Sequence, residues 1–286
     1  MKHIKILILT LTLIGISLLA AEPWKLDSDV MFNFTQTAFS DNWAGSELSN
    51  ITWAAASNTT AQKQMKDWLL NKTSLKLAFG QSHLQKEKVD PVTLQTEKYW
   101  EAPLKSTDKI DLESLMQFTL SSFVDPYVAV RMESQFLDED GDETLLVNPM
   151  LFTESAGIMK TLINAEKTKL DVRVGGAVRE FVDRRDDDVP IDGGLEAIAD
   201  FKHVFTALNA SYNSRLSAYQ AFFNSKSDEL NEDWKALDYK WENMLSFKLW
   251  KMLSLNLTAD LIYDKEVVDE LRWKEMLGIG FSYVLF

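Results

Sequence analysis

Few residues of this chain have the type and spacing that acid–base or nucleophilic chemistry needs. There is no cysteine, and beyond the first few residues there are two histidines, His83 and His203. His83 follows Ser82 directly, and His203 lies close to Asp200 in sequence. A lipid hydrolase would need a serine or aspartate beside a histidine, with hydrogen-bond donors for the oxyanion. Neither spacing is diagnostic of such a site, so we predict no catalytic residue.

Two acidic tracts, Asp138–Glu143 and Asp186–Asp188, could supply carboxylate oxygens to a divalent cation such as Ca²⁺. A helix–loop–helix calcium site needs a ligand spacing and flanking helices that this sequence lacks, so solvated acidic loops fit better. Divalent cations at these loops stay open as a partner. The sequence has no glycine-rich phosphate loop and no metal-spaced histidine cluster, so we predict no metal-ligating residue and no cofactor.

Charged residues inside strand-like segments carry more information. In the segment 166–182, apolar residues such as Val172 and Val174 alternate with charged residues such as Arg173. If the sheet spans a membrane, an Arg or Lys facing lipid at mid-depth costs about 2–4 kcal/mol, so these charges must face the lumen. Their mixed signs predict interior salt bridges rather than a selectivity ring of one sign. The candidate lumen-facing residues are Arg131, Glu133, Lys169, Asp171, Arg173 and Arg179.

The elements that carry these residues alternate apolar and polar side chains with a period of two, which is typical of β-strands. Several run well past the roughly 5–6 residues usual in soluble sheets and suit the roughly 9–11 needed to cross a bilayer. We predict a long polar loop at about 83–107 and a turn at Asp125-Pro126. About twelve strands are expected, at 24–38, 48–56, 68–80, 110–120, 128–135, 151–162, 166–182, 195–201, 208–222, 237–249, 253–263 and 271–286.

The N-terminal residues 1–21 are typical of a secretory signal peptide, with a basic start, an apolar stretch and Ala20-Ala21 for cleavage. An uncleaved anchor helix is the alternative, but the apolar stretch is shorter than a span of roughly 20 residues. Without Lys2 and Lys5 the chain has 28 basic and 43 acidic residues, a net charge near −15 that disfavours nucleic acid. Residues 22–286 hold no linker and no apolar run long enough for a transmembrane helix, so we predict one β-barrel domain.

Alternation alone does not decide which face of the sheet is apolar. A soluble lipocalin-like barrel places the apolar face inside, and a membrane barrel places it outside. Twelve strands make a wider barrel than the roughly eight whose interior side chains can fill, which favours the second arrangement. Aromatic residues near strand ends resemble the girdles of membrane barrels. They are Trp24, Trp68, Tyr127, Trp234, Trp250, Tyr263 and Trp273.

The last predicted strand alternates Leu277, Ile279 and Phe281 with glycine and serine. It resembles the terminal strand that barrel-assembly machinery recognises, although Phe286 is offset by one residue from the apolar face. An ordinary edge strand is the alternative. The strand is expected to pair with the first one near Trp24, because an unpaired edge in hydrocarbon leaves backbone groups unsatisfied.

Six short segments, taken in order, resemble one family. Together they are similar to domain-of-unknown-function family 3078, predicted bacterial outer-membrane β-barrel proteins. The resemblance implies location and fold and transfers no catalytic residue. In place of the second glycine of the family's usual pair, this chain has Ser46. The segments are Phe39–Gly45 with Ser49–Ile51, Trp68–Asn71 leading to Leu77–Gly80, Thr107–Leu112, and Glu275–Gly280.

These observations predict an all-β protein, a transmembrane antiparallel up-and-down barrel in the bacterial outer membrane. Its expected partners are outer-membrane lipid and the barrel-assembly machinery. The expected role is a passive small-solute pore or a structural membrane protein, not an enzyme. The alternatives are a barrel enzyme acting on lipid or peptide, which needs a convergent histidine site, and a soluble periplasmic ligand-binding barrel, which needs an apolar interior.

Overall fold

The computed structural model describes residues 24–39, 48–89, 96–120, 122–141, 143–230, 232–251, 253–281 and 283–284. These residues form β-strands and two single-turn 3₁₀ segments, Thr206–Leu208 and Asp233–Lys235. Within the described ranges, no helix is both long enough and apolar enough to cross a bilayer. The segment 1–21, the residues Ser40–Gly45 of the family resemblance and Phe286 lie outside the described residues.

Sixteen strands are present in the described chain, and many are longer than strands of soluble sheets. They are β1 (Lys25–Thr37), β2 (Asn50–Lys66), β3 (Leu69–Val89), β4 (Thr96–Trp100), β5 (Leu104–Phe118), β6 (Asp125–Ser134), β7 (Leu137–Asp138), β8 (Leu145–Leu146), β9 (Met150–Asn164), β10 (Thr168–Val182), β11 (Ile191–Phe205), β12 (Ala210–Asn224), β13 (Leu237–Lys248), β14 (Leu253–Asp264), β15 (Val268–Phe281) and β16 (Tyr283–Val284).

The strands form a closed antiparallel barrel in which each strand pairs with its neighbours in sequence. The order around the barrel is β1, β2, β3, β5, β6, β9, β10, β11, β12, β13, β14 and then β15 with its continuation β16. Both β15 and β16 pair with β1, so the sheet closes on itself. Three short strands lie off this path: β4 pairs with β3, and β7 with β8. The prediction of an all-β up-and-down barrel of about twelve strands is confirmed.

Two local predictions were wrong. The stretch 83–107 is not one polar loop, because β3 continues to Val89 and folds back as β4. Opposite charges face each other across this hairpin, in the pairs Glu87↔Lys98 and Lys88↔Glu97, and such pairs stabilise strands that lack apolar alternation. Asp125-Pro126 is not a turn but the start of β6, where a proline is tolerated because the first residues of a strand need not donate to both neighbours.

The two ends of the barrel differ in the length of their connections. At one end, the short-turn end, the connections are 67–68, 119–124, 165–167, 206–209 and 249–252, and both described chain ends lie there. At the other, the long-loop end, they are 38–49, 90–103, 135–149, 183–190 and 225–236, together with one short connection, 265–267. Bacterial outer-membrane barrels show the same asymmetry, with short periplasmic turns and longer extracellular loops.

The inner and outer faces follow from contacts between strands that are not neighbours. Arg173 on β10 bonds Glu113 on β5, although β6 and β9 separate these strands in the sheet. Such a contact has to cross the interior, so Arg173 points inward. Val174 and Val178 alternate with it and are exposed on the outer face, while Ala177 is buried. The barrel therefore has an apolar exterior and a charged interior.

Candidate functional site

The centre of the interior is organised around Glu113. Its carboxylate accepts hydrogen bonds from Arg173 and from the guanidinium of Arg215, the latter at 2.7 Å. The three residues come from β5, β10 and β12, and all three are largely buried. Arg173 Nε also faces Glu196 at 3.9 Å, and Arg215 faces Asp200 at 3.6 Å. One carboxylate thus ties two arginines from the opposite half of the barrel.

Close to Glu113, Arg131 of β6 forms a bidentate ion pair with Asp111 of the adjacent strand β5. Arg131 Nε lies 2.9 Å from Asp111 Oδ1, and the guanidinium nitrogen lies 2.8 Å from Oδ2. Planar bidentate pairs of this kind combine strength with a fixed geometry. Arg131 also approaches Glu133 at 3.0 Å, and Glu133 accepts from Lys240 on β13 at 2.9 Å. The chain of ion pairs therefore continues across the lumen.

A third group of pairs converges on Glu242 of β13. Its carboxylate accepts from Lys76 of β3 at 3.1 Å and from Lys109 of β5. In a ring of twelve strands, β5 and β13 lie on opposite sides. The Lys109–Glu242 contact therefore spans the full width of the interior.

These side chains make up what we call the waist network, a layer of direct ion pairs across the middle of the barrel. Acidic and basic members are equal in number, so the network is a neutral plug rather than a ring of one sign. Most of them went unnamed in the sequence-based candidate set, although each lies on the polar face of an alternating strand. The members are Lys76, Lys109, Asp111, Glu113, Arg131, Glu133, Arg173, Glu196, Asp200, Arg215, Lys240 and Glu242.

The six candidate residues are distributed over three levels of the interior. Arg131, Glu133 and Arg173 belong to the waist network. Lys169 and Asp171 pair with each other at 2.8 Å nearer the short-turn end.

The sixth candidate, Arg179, lies nearer the long-loop end. It bonds Asp192 at 2.9 Å and Asp238 at 3.0 Å, and its guanidinium stacks on Tyr219 at 3.7 Å from the ring centroid. Burial raises the pKa of nearby Glu266 to about 7, against the opposing effect of Arg179, and Asp264 adds to the rise. The charge at this end of the barrel therefore changes near neutral pH, where the Glu266 carboxyl gains or loses its proton.

In the first acidic tract, 138–143, the Asp138 carboxylate forms hydrogen bonds and an ion pair with other residues at the long-loop end. Asp138 Oδ2 accepts from Asn148 Nδ2 at 2.6 Å and also pairs with Arg185. The hydrogen bond from Asn148, with the Arg185 guanidinium, lowers the pKa of Asp138 to about 2. Asp183 accepts from the same Asn148 and from the Arg185 backbone, each at 2.9 Å. These bonds tie the 135–149 loop to the 183–190 loop.

In the second tract, Asp188 pairs with Lys226 at 2.6 Å. Hydrogen bonding to Lys226 lowers the pKa of Asp188. Among the residues whose positions are described, no group of three or more acidic or histidine side chains is arranged to hold a metal ion.

Neither histidine is in a triad-like arrangement in the described chain. His203 Nδ1 lies 2.8 Å from the Thr168 hydroxyl, and its ring stacks on Phe201. Asp200, its neighbour in sequence, faces Arg215 instead. His83 lies on β3 opposite Ile51.

Two aromatic residues of the expected girdle lie against the interior: Tyr127, and Trp234, which packs on the inward cluster of Ala177, Tyr219 and Ala221. Tyr127 is 1% exposed and packs inside with Leu115 and Ala129, under the Arg173 guanidinium. Its position on β6 shares the inward face with Arg131, so strand alternation overrides its nearness to the strand end. Trp68, Trp250 and Trp273 are exposed, as a girdle requires.

Several solved structures of outer-membrane proteins are similar to this chain over most of its length. A search of curated proteins found no match. Among solved structures, the chain is similar to the COG4313 outer membrane channel from Pseudomonas putida F1, with 14% identity, 93% of this chain and 97% of that chain covered, and a TM-score of 0.46. It is also similar to the translocator domain of autotransporter NalP from Neisseria meningitidis, with 8% identity, coverages of 98% and 96%, and a TM-score of 0.34. A third similar structure is a mutant of Rh. blastica porin, with 7% identity, 91% of this chain and 100% of that chain covered, and a TM-score of 0.25.

A family model described as "Protein of unknown function (DUF3078)" matches residues 34–139. This stretch contains the segments from Phe39 to Leu112 that carry the resemblance, and it does not reach Glu275–Gly280. The resemblance to family 3078 is therefore confirmed over residues 34–139, which match that family.

Proposed function

We propose that the protein is a bacterial outer-membrane β-barrel that forms a narrow, passive pathway for small solutes, held closed at its waist. The observation that supports this proposal is the combination of an apolar exterior with ion pairs that cross the interior, such as Lys109–Glu242. A soluble ligand-binding barrel needs the reverse, an apolar interior. The charged interior therefore disfavours that alternative.

The same ion pairs favour a second role, that of a structural barrel with no transport. A neutral network that joins opposite walls would make the barrel rigid and would obstruct the interior at that level. An enzyme acting on lipid or peptide has less support, because His203 bonds Thr168 and not an acidic residue. Measurement of conductance separates the pore from the structural barrel.

Several partners follow from the proposed location. The outer face would contact outer-membrane lipid, and the long-loop end would face outside the cell. The strand formed by β15 and β16 would be the element that barrel-assembly machinery recognises. Divalent cations at the acidic loops stay a proposal as well, with Asp186 and Asp187 among the carboxylates that form no ion pair in the described part of the chain.

Replacing Val174 with arginine tests the membrane location. Val174 lies in the middle of β10 on the outer face, where an arginine in lipid costs about 2–4 kcal/mol. We expect a loss of that size in the free energy of unfolding, measured by urea titration of the protein in lipid vesicles. Leu208→Arg, in the exposed 206–209 turn, is the matched control and should cost little. A neutral Val174→Arg would indicate that this face meets water, as in a soluble barrel.

Replacing Glu242 with glutamine tests the pore. The change removes the carboxylate that Lys76 and Lys109 share and leaves Lys109 with its longer, 3.7 Å pair to Asp111, so the waist should loosen and carry excess positive charge. In planar bilayers we expect a several-fold rise in single-channel conductance over the wild type, with a preference for anions. Glu275→Gln is the control, since Glu275 is exposed on the outer face of β15. If the folded wild type and Glu242→Gln are both silent, the structural role is correct and the pore is not.

A further inference from the structure

The outer face of the barrel carries an apolar groove, separate from the waist network in the interior. It crosses the wall from β5 to β12 and encloses a volume of about 710 Å³. Its floor includes Ala156 and Gly176, and its sides include Val128, Val178 and Phe222. Val178 and Phe222 are exposed, and Gly176 lies on the outward face of β10 because Ala177 beside it is buried inside. The groove therefore opens toward the surroundings of the barrel and not into its lumen.

The groove exists because small residues are aligned across strands and large ones flank them. Gly176 stands directly opposite Ala156, so two neighbouring positions lack bulky side chains. A bulge between Gly193 and Gly194 inserts Phe222 as an extra residue of β12, and Phe222 and Phe223 both stand out from the surface. The depression is thus a built feature of the wall.

One ionisable side chain lies in this apolar groove. Glu154 is on the outward face of β9, between Val130 and Val178 on the two adjacent strands. Its carboxylate has no hydrogen bond or ion pair with any residue in the described part of the chain. A carboxylate in an apolar setting is costly unless a cation or a hydrogen-bond donor meets it.

The position of Glu154 along β9 indicates at which depth in the membrane a cation or hydrogen-bond donor could meet its carboxylate. Glu154 is the fifth residue of β9, counted from the long-loop end, in a strand of 15 residues. Since roughly 9–11 residues cross the hydrocarbon, the first few residues of β9 extend beyond it. With about two or three residues beyond each edge, Glu154 lies just inside the hydrocarbon at the long-loop end, where its side chain can extend toward the lipid headgroups.

We propose that this groove binds a membrane lipid, with its acyl chain over Gly176 and Ala156 and a primary ammonium headgroup paired with Glu154. The proposal rests on the membrane location proposed above. A lipid with an anionic headgroup lacking an ammonium would meet Glu154 with like charge and bind less well. A second copy of this chain is disfavoured, because a two-fold contact centred here would bring two Glu154 carboxylates together in an apolar medium.

The test uses photoreactive lipids in vesicles that contain the full-length folded barrel. The probes are phosphatidylethanolamine and phosphatidylglycerol, each with a diazirine in the acyl chain, and labelled positions are mapped by mass spectrometry. We expect several-fold more labelling of the groove by the ethanolamine lipid. Glu154→Gln should remove this preference, because the amide keeps the shape and loses the charge.

A second variant separates the groove from the charge. Among the described residues, a Cβ at Gly176 would meet only the Gly194 carbonyl oxygen, at 4.0 Å, so Gly176→Leu fills the groove without disturbing the sheet. We expect it to reduce labelling by both lipids several-fold. Ala199→Leu, at another outward position of β11 beside Val172, is the control and should leave groove labelling unchanged.

The outcomes are distinguishable. Equal labelling all round the barrel, unaffected by Gly176→Leu, would show that the groove binds no lipid and would leave the membrane location intact. A cross-linked species of twice the chain mass through the groove would identify a second copy as its occupant and overturn the lipid. No labelling at any outward position would overturn the membrane location itself.

Discussion

Replacing Glu113 with leucine is expected to destabilise the barrel by about 3–5 kcal/mol. Glu113 is the shared partner of Arg173 and Arg215, and all three side chains are largely buried. Removing one member of a buried ion pair leaves the other charge uncompensated, which accounts for a loss of this size. The measurement is the free energy of unfolding of the refolded barrel in denaturant, with heat-modifiable migration in detergent gels as a second readout.

Glu133→Leu is the matched control for this change. Glu133 also pairs with two cations, Arg131 and Lys240, but its side chain is 25% exposed and Arg131 keeps its bidentate bond to Asp111. We therefore expect a clearly smaller loss than for Glu113→Leu. Equal and small losses, under about 1 kcal/mol, would mean that the waist pairs are solvated like surface pairs. The neutral plug would then be an incorrect description of the interior.

The facing of individual strands could be predicted because it depends only on local alternation. On β10, the order Arg173, Val174 in the sequence already assigns one residue to each face, and the structure places them so. The twelve long strands were predicted for the same reason. Closure by pairing of the last strand with β1 was also expected, because an unpaired edge is costly in lipid.

The partners across the lumen could not be predicted in this way. That Glu242 meets Lys109 depends on β5 and β13 being opposite in the ring, which requires the strand number and the stagger of the whole barrel. Sequence spacing holds no such information, since these residues are 133 positions apart. The groove was missed for a related reason: Ala156, Gly176 and Phe222 are unremarkable on their own strands and form a depression only when those strands are side by side.

The seam where the barrel closes is the second place where a single change should have a large effect. Among the described residues, β1 is joined to β15 and β16 by the pairs Asn33↔Gly280, Val30↔Tyr283 and Asp29↔Val284, far fewer than join β1 to β2. Gly280 is buried against β1, and a Cβ there would lie 2.9 Å from the Phe32 carbonyl oxygen and 2.8 Å from the Asn33 side chain. A larger residue at this position therefore has to push the two strands apart.

We expect Gly280→Val to abolish the folded barrel rather than weaken it gradually. Opening the seam exposes two strand edges, and each unsatisfied backbone group in hydrocarbon costs several kcal/mol. The assay is the fraction of heat-modifiable protein after refolding into lipid vesicles. Ile279→Val introduces the same residue one position earlier, where the side chain is exposed on the outer face, and should fold normally. If Gly280→Val folds as well as Ile279→Val, β1 and β15 do not pack closely at Gly280, and closure depends on other contacts.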